Sequence, residues 1–285
     1  MTSLEAGLQN SWTSGSLWDM TGRVQVVTFI GAGGKTTCLR SITQEIDSAG
    51  HPVIATTTTK VFPEQVMKAW KNPNPPPYEQ EDACFWYVDV IEENGKWMGP
   101  PLKVVDNAID EDLSLLKKKE LQAGKHGEES TSGATESSKR FWMIEGDGAK
   151  GLNLKCWGPH EPQIPRRSDC VVLLVDGGLW GKVLQTEQVH RPAGCLDLLG
   201  HVWNAEKAWR YFLRSPVFAP QYRQMSWVIL LNSKASLDSY KPLRDLNHRW
   251  AQIQREVKEL EYRPKHLRIA AGDAKEGKLQ WFDLW

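Results

Sequence analysis

The segment VQVVTFIGAGGKTT, residues 24–37, decides the fold. Val24 to Ile30 is β-branched and almost wholly apolar, the composition of a strand buried on both faces of a parallel sheet. A glycine-rich turn, Gly31-Ala32-Gly33-Gly34, follows without a break. From Thr36 onward Leu39, Ile42, Ile46 and Ala49 recur at helical spacing until Gly50 and Pro52 supply a stop. A strand, a glycine loop and a helix in this order form a phosphate loop. The glycines let backbone N–H groups turn toward phosphate oxygens, Lys35 neutralises β- and γ-phosphate charge, and the Thr36 hydroxyl reaches Mg²⁺. The common spacing GxxxxGK[ST] places a further glycine five positions before Gly34, and this chain has Phe29 there.

Outward from this unit, strands and helices alternate, so the expected class is α/β: P-loop NTPase-like, a mostly parallel sheet flanked by helices. Val53 to Thr57 reads as the second strand, and a short helix is expected over Glu64 to Trp70. Residues 71–82 read as a loop, and Cys84–Ile91 with Lys96–Met98 flank Asn94-Gly95 as a small β-hairpin insertion. Residues 109–122 read as helix. Residues 123–139 are small and polar, which predicts a disordered surface loop. Phe141–Ile144, Cys170–Val175 and Trp227–Leu231 read as strands, and a last strand starts near Leu267. Two helices broken near Asn204 are expected around Leu196 and Ala208. The three- and four-residue steps from Leu243 to Leu260 predict one long amphipathic helix. Residues 1–22 read as a lead-in, and 1–285 as one P-loop α/β domain.

Composition narrows the function. Lysine plus arginine and aspartate plus glutamate both number 35, so the net charge is zero and no basic field draws the chain to nucleic acid or anionic lipid. Apolar runs are too short to span a membrane, and no secretory leader pattern opens the chain. The five cysteines are odd in number and scattered, without CxxC, which fits reduced thiols in a cytoplasmic protein. The 14 tryptophans coincide mostly with apolar segments, as Trp70, Trp142, Trp209 and Trp250 do, and read as core.

Phosphate-bound metal needs a carboxylate at the same sheet edge as the loop. Glu145, directly after FWMI, is the first candidate to hold Mg²⁺ with Thr36 or to polarise a water, and Asp147 the alternate. The expected nucleotide contacts are Gly31, Ala32, Gly33, Gly34, Lys35, Thr36 and Thr37. Thr58 joins them if the first two strands are neighbours, and Lys150 as a cation beyond the acidic turn. Lys155 and His190-Arg191 would extend a cationic wall. His160-Glu161 offers too few ligands for a metal site, and Asn232 begins NSKAS rather than the guanine-reading NKxD.

The loop GAGGKT resembles the short GxxGK[ST] loop of Mur-type ligases. Taken in order, GAGGKTT, ATTTTKVFP, IEGDGAKGLNLK, HEPQIP and VHRP resemble the YqeC family, over about residues 24 to 235. That resemblance implies a P-loop accessory factor in the maturation of selenium-dependent molybdenum hydroxylases or their cofactor, binding ATP or GTP with Mg²⁺. Its partner would be such a hydroxylase or its cofactor. The sequence leaves open whether the chain is an NTPase or NTP-dependent transferase, a nucleotide-gated carrier with little turnover, or a Mur-like ligase.

Overall fold

The computed structural model describes residues 12–63, 66–123, 139–233 and 238–285. In chain order the first half contains β1 (Thr13–Gly15), α1 (Leu17–Met20), β2 (Val26–Gly31), α2 (Lys35–Ser48), β3 (Val53–Thr57), β4 (Lys60–Val61), β5 (Lys68–Lys71), β6 (Cys84–Tyr87), β7 (Asp89–Val90), β8 (Trp97–Met98) and α3 (Leu102–Ala123). The second half contains β9 (Phe141–Glu145), β10 (Leu154–Lys155), β11 (Cys170–Asp176), β12 (Val189–His190), α4 (Ala205–Leu213), β13 (Ser226–Asn232), α5 (Lys241–His248), α6 (Trp250–Lys258), β14 (His266–Asp273) and β15 (Lys278–Asp283).

Ten strands make one sheet in the order β1-β15-β14-β13-β11-β2-β9-β3-β6-β5. Its pairings are parallel from β14 through β5; at the other edge β15 runs antiparallel to both of its neighbours, β14 and β1. Alternation along the strands sorts the core. Val171, Leu173 and Val175 of β11 pack with Trp209, Phe212, Leu243 and Ile253 from α4 to α6 on one face. Val172 and Leu174 pack with Leu39, Ile42 and Ile46 of α2 on the other. The mixed α/β architecture with a mostly parallel sheet is therefore as read from sequence.

Several local expectations need correction. The helix expected over Glu64 to Trp70 begins outside the described residues, and its described part is not helical: Lys68–Lys71 is a strand pairing in parallel with β6 at the end of the sheet. Its two lysines suit an edge that must not recruit another strand. Cys84–Tyr87 belongs to the main sheet, so the hairpin across Asn94-Gly95 is only Asp89–Val90 with Trp97–Met98. It joins β4 in a separate three-stranded sheet. The single long helix is two. Arg249 departs from helical geometry, its N–H returning to Leu246 while the N–H groups of Gln252 and Ile253 return to its own carbonyl. The break lets Leu243, Leu246 and Ile253 all bury on the same core. Around Leu196 the chain forms a kinked 3₁₀ segment, Pro192–Leu198, rather than a helix, whereas Asn204 caps α4 through the Lys207 N–H. The expected disordered loop lies, from 124 to 138, outside the described residues.

The far side of α3 is fixed by a buried ion pair. Arg140, just before β9, donates through Nε and Nη2 to the two carboxylate oxygens of Asp112 at 2.7 and 2.6 Å, and through Nη1 to the carbonyls of Pro76 and Pro77. Trp142 Nε1–H donates to the same carboxylate at 2.9 Å. Both charged side chains are buried, so removing one strands the other. Asp112→Ala is expected to cost about 3–5 kcal/mol in urea unfolding, and the apolar double replacement Asp112→Leu with Arg140→Met to recover much of it. Equal losses in both variants would contradict the assignment.

Candidate functional site

The phosphate-loop sequence forms the connection between β2 and α2, and close packing explains its glycines. Gly31 and Gly33 have φ of 91° and 96°. A Cβ on Gly33 would lie 2.6 Å from the backbone nitrogen of Asp176, so the loop presses directly on the end of β11. Helix α2 follows Gly34 as its N-cap, which has no side chain to cap it, and the first turn carries no acidic residue. The first-turn N–H groups therefore lack any side-chain cap, at the positive end of the helix dipole.

Strand order brings the acids to this helix end. β9 lies between β2 and β3, placing Glu145 and Asp147 directly beyond the loop strand. The Thr36 hydroxyl donates to Glu145 Oε2 at 2.9 Å. Lys35 folds back over the loop, donating to the Gly31 carbonyl at 2.7 Å, with its Nζ 3.3 Å from Asp147 Oδ1 and 3.8 Å from Glu145 Oε1. Burial raises the Glu145 carboxyl above the ordinary glutamate value, opposed by the Lys35 charge and the Thr36 hydrogen bond.

Asp147 has no solvent exposure, and its oxygens are enclosed by donors. The Gly31 N–H reaches both oxygens at 3.1 and 3.0 Å, and Trp157 Nε1–H donates to Oδ2 at 2.8 Å. Lys155 Nζ stands 3.5 Å away. Lys155, also fully buried, donates to Glu161 at 3.0 Å and to the Gly148 carbonyl, and Glu161 continues the chain of charges to Arg191 Nε at 2.9 Å. Lys155 is thus partnered inside the protein, and Arg191, half-exposed, is paired with Glu161, so neither is a free cation of a wall. His190 is half-buried, and its imidazole is held below the usual histidine value mainly by burial and then by Lys155.

These contacts revise the expected ligand contacts. The Gly31 N–H is taken by Asp147 and the Ala32 N–H by the Leu174 carbonyl, so a bound anion would meet Gly33 to Thr37. Thr58 does not reach the cleft. Because β9 separates β2 from β3, its hydroxyl donates to the Gln163 carbonyl at 2.9 Å, and its N–H supports the Glu145 carbonyl at 3.0 Å. A cleft of about 380 Å³ opens over the loop, bounded by Lys35, Thr36, Thr37, Glu145, Lys150 and Asp176.

Two residues of this arrangement, Trp157 and Asn153, escaped the sequence reading, and the role of a third, Asn232, was missed. Trp157 was indistinguishable from a core tryptophan. Asn153 donates to Asp176 and so closes the cleft rim, in a turn with no recognisable spacing. Asn232 bridges distant backbones, its Nδ2 donating to the Gly33 carbonyl at 2.8 Å and its Oδ1 accepting the Ala274 N–H at 3.1 Å. Its position at a strand end beside the loop was the available signal. The expectation of five reduced cysteines is also corrected. Cys156 and Cys195 form a disulfide with Cα atoms 6.4 Å apart, brought together by the parallel pairing of β10 with β12. Cys38, Cys84 and Cys170 are free and buried.

A Mg²⁺ ion can be tested against these residues. Among the described residues no three His, Cys, Asp or Glu side chains converge, and no helix is long and apolar enough to cross a membrane. One carboxylate and one hydroxyl at an uncapped helix end nevertheless fit the protein share of a Mg²⁺ shell otherwise filled by phosphate oxygens and water.

The family model described as YqeC protein matches residues 27–193, which includes the loop, Glu145, Asp147, Lys155 and the His190-Arg191 pair but not the Asn232 segment. The family model's match ends at residue 193, short of residue 235. The Escherichia coli (strain K12) protein named "Uncharacterized protein YqeC" is 28% identical over 185 residues, 62% of this chain and 62% of that protein. The chain thus matches less than two thirds of that relative's length. No solved structure matches the chain. With more than half of its residues covered by the family model, the chain belongs to the YqeC protein family.

Proposed function

We propose that this chain is a P-loop protein that binds ATP or GTP with Mg²⁺ on Gly33 to Thr37 and acts as an NTPase or NTP-dependent transferase. The observation that carries the reading is the 2.9 Å hydrogen bond between Thr36 and Glu145 at an uncapped helix N-terminus, with Lys35 folded over the same loop. In this reading Thr36 and Glu145 hold the metal. The metal would neutralise charge building on the phosphates. Lys35 would exchange the Gly31 carbonyl for a terminal phosphate oxygen, remaining close to Asp147. Asp147 positions the loop through Gly31 and Lys35 and is a positioning residue. The resemblance to the YqeC family extends the proposal to an accessory role in maturing selenium-dependent molybdenum hydroxylases or their cofactor.

A specific observation favours keeping the gated-carrier reading beside this one. Lys35 and the Gly31 N–H are already satisfied by internal partners, so nucleotide has to displace native contacts before the loop is competent. The carrier form predicts binding with little turnover until a partner is added.

Calorimetry with Mg·ATP and Mg·GTP is expected to show binding that falls by about tenfold to a hundredfold in Lys35→Ala, roughly 1.4–2.7 kcal/mol. Glu145→Gln keeps the Thr36 acceptor but loses the metal's charge partner, so affinity should fall by about tenfold or more while Mg²⁺-free folding is undiminished. Unchanged affinity in both variants would refute the site. The pH dependence follows from burial of Glu145. A carboxyl raised in the folded state favours folding fully below its unfolded value, and that contribution is lost as pH rises through the raised value. Metal binding needs the carboxylate, so Mg·nucleotide affinity should climb with pH across that interval with proton release. Glu145→Gln should abolish the proton release attributable to this group, and a variant that kept the full slope would exclude Glu145 as the metal's partner.

A further inference from the structure

The cleft has a second half that the phosphate loop does not account for. Its outer wall is the small sheet of β4, β8 and β7 with its flanking residues, which together contribute Lys60, Phe62 and Lys96, and the opposite wall is the 148–153 turn with Lys150. This wall is firmly seated. Trp97 stacks on Tyr87 with ring centroids 4.1 Å apart and planes 4° from parallel, and the Gly99 N–H bonds the Thr59 carbonyl at 2.9 Å. On this support Phe62 is 69% exposed and lines the cleft. The Lys96 ammonium sits 4.6 Å from its centroid, so the ring and the charge form one surface.

The charge balance of the two halves differs. Lys35 and Lys155 are matched by Glu145, Asp147 and Glu161. Among the described residues Lys60, Lys96 and Lys150 have no carboxylate partner, although Glu145 and Asp176 share the cleft. Lys150 is held at φ 52°, a left-handed conformation rare for a residue with a side chain, between Gly148 and Gly151. Such strain persists where surrounding structure enforces it, and here it sets a cation on the cleft wall.

We propose that this outer half is a binding site for a second ligand, a small ring-bearing phosphate. Its ring lies against Phe62 and its anion among Lys60, Lys96 and Lys150. The placement of this ligand next to a terminal phosphate rests on the nucleotide reading above; the site itself rests on the lysines and Phe62. A triphosphate on the loop is served by Lys35, the loop N–H groups and the metal, which leaves these three cations for another anion.

The test uses the full chain with phenyl phosphate as probe and inorganic phosphate as the ring-free control. Each is titrated by calorimetry with and without Mg²⁺ and a non-hydrolysable ATP analogue, whose own binding is measured separately. Phenyl phosphate is expected to bind about tenfold tighter than phosphate, and Phe62→Ala to remove that difference. The double variant Lys60→Ala with Lys96→Ala should weaken phenyl phosphate by about tenfold or more while nucleotide affinity stays within about twofold. Equal weakening of nucleotide and probe would overturn the proposal by assigning the lysines to the triphosphate, as would failure of the probe to bind either form of the chain. Probe binding that is lost in the lysine variant of a chain with no nucleotide affinity would retain the site and sink only the nucleotide reading.

Discussion

A carboxylate without solvent must be surrounded by donors, and Asp147 meets that requirement with parts of the protein that are far apart in sequence. The Gly31 N–H comes from the end of β2, Lys35 from the start of α2, Trp157 and Lys155 from the segment around β10. Each donor is held where Asp147 needs it, so the shape of the loop and the position of Lys35 follow from satisfying one buried charge. Lys155 then requires Glu161, and Glu161 engages Arg191. The disulfide between Cys156 and Cys195 ties together the two segments that carry this chain of charges. The result is a preorganised cradle at the positive end of α2, with Glu145 and Thr36 on one side and the lysine-bearing small sheet on the other.

Much of this was legible because its signals are local. Val24 to Ile30 announced a doubly buried strand, Gly31 to Gly34 a tight turn, and Leu39, Ile42 and Ile46 a helix face, all within one stretch of chain. Glu145 was legible as an acid ending an apolar run. What was hidden is pairing between distant segments. Nothing in the sequence shows that β9 inserts between β2 and β3, and that insertion is why Thr58 supports Glu145 from behind instead of facing the cleft. The edge pairing of β15 with β1 was missed for the same reason, because this antiparallel pairing joins distant segments of the chain.

Other errors came from treating periodicity as sufficient. The stripe from Leu243 to Leu260 is continuous on paper, yet the turn at Arg249 re-aims it so that α5 and α6 both bury on the core. Lys155 read as one more surface cation because burial of a charge depends on partners, here Asp147 and Glu161, that the sequence does not advertise together. Asn232 was weighed only against a base-reading motif, whereas its amide serves two backbones, one of them the loop itself.

The central claim is that Gly33 to Thr37 form a phosphate cradle whose metal is held between Thr36 and Glu145. A crystal structure of the chain with Mg²⁺ and a non-hydrolysable nucleoside triphosphate tests it directly. The account predicts phosphate oxygens on the N–H groups of Gly33 to Thr37, Lys35 turned from the Gly31 carbonyl to a phosphate, and Mg²⁺ between the Thr36 hydroxyl and Glu145. A nucleotide bound elsewhere, with Lys35 still on Gly31 and Thr36 still on Glu145, would contradict it.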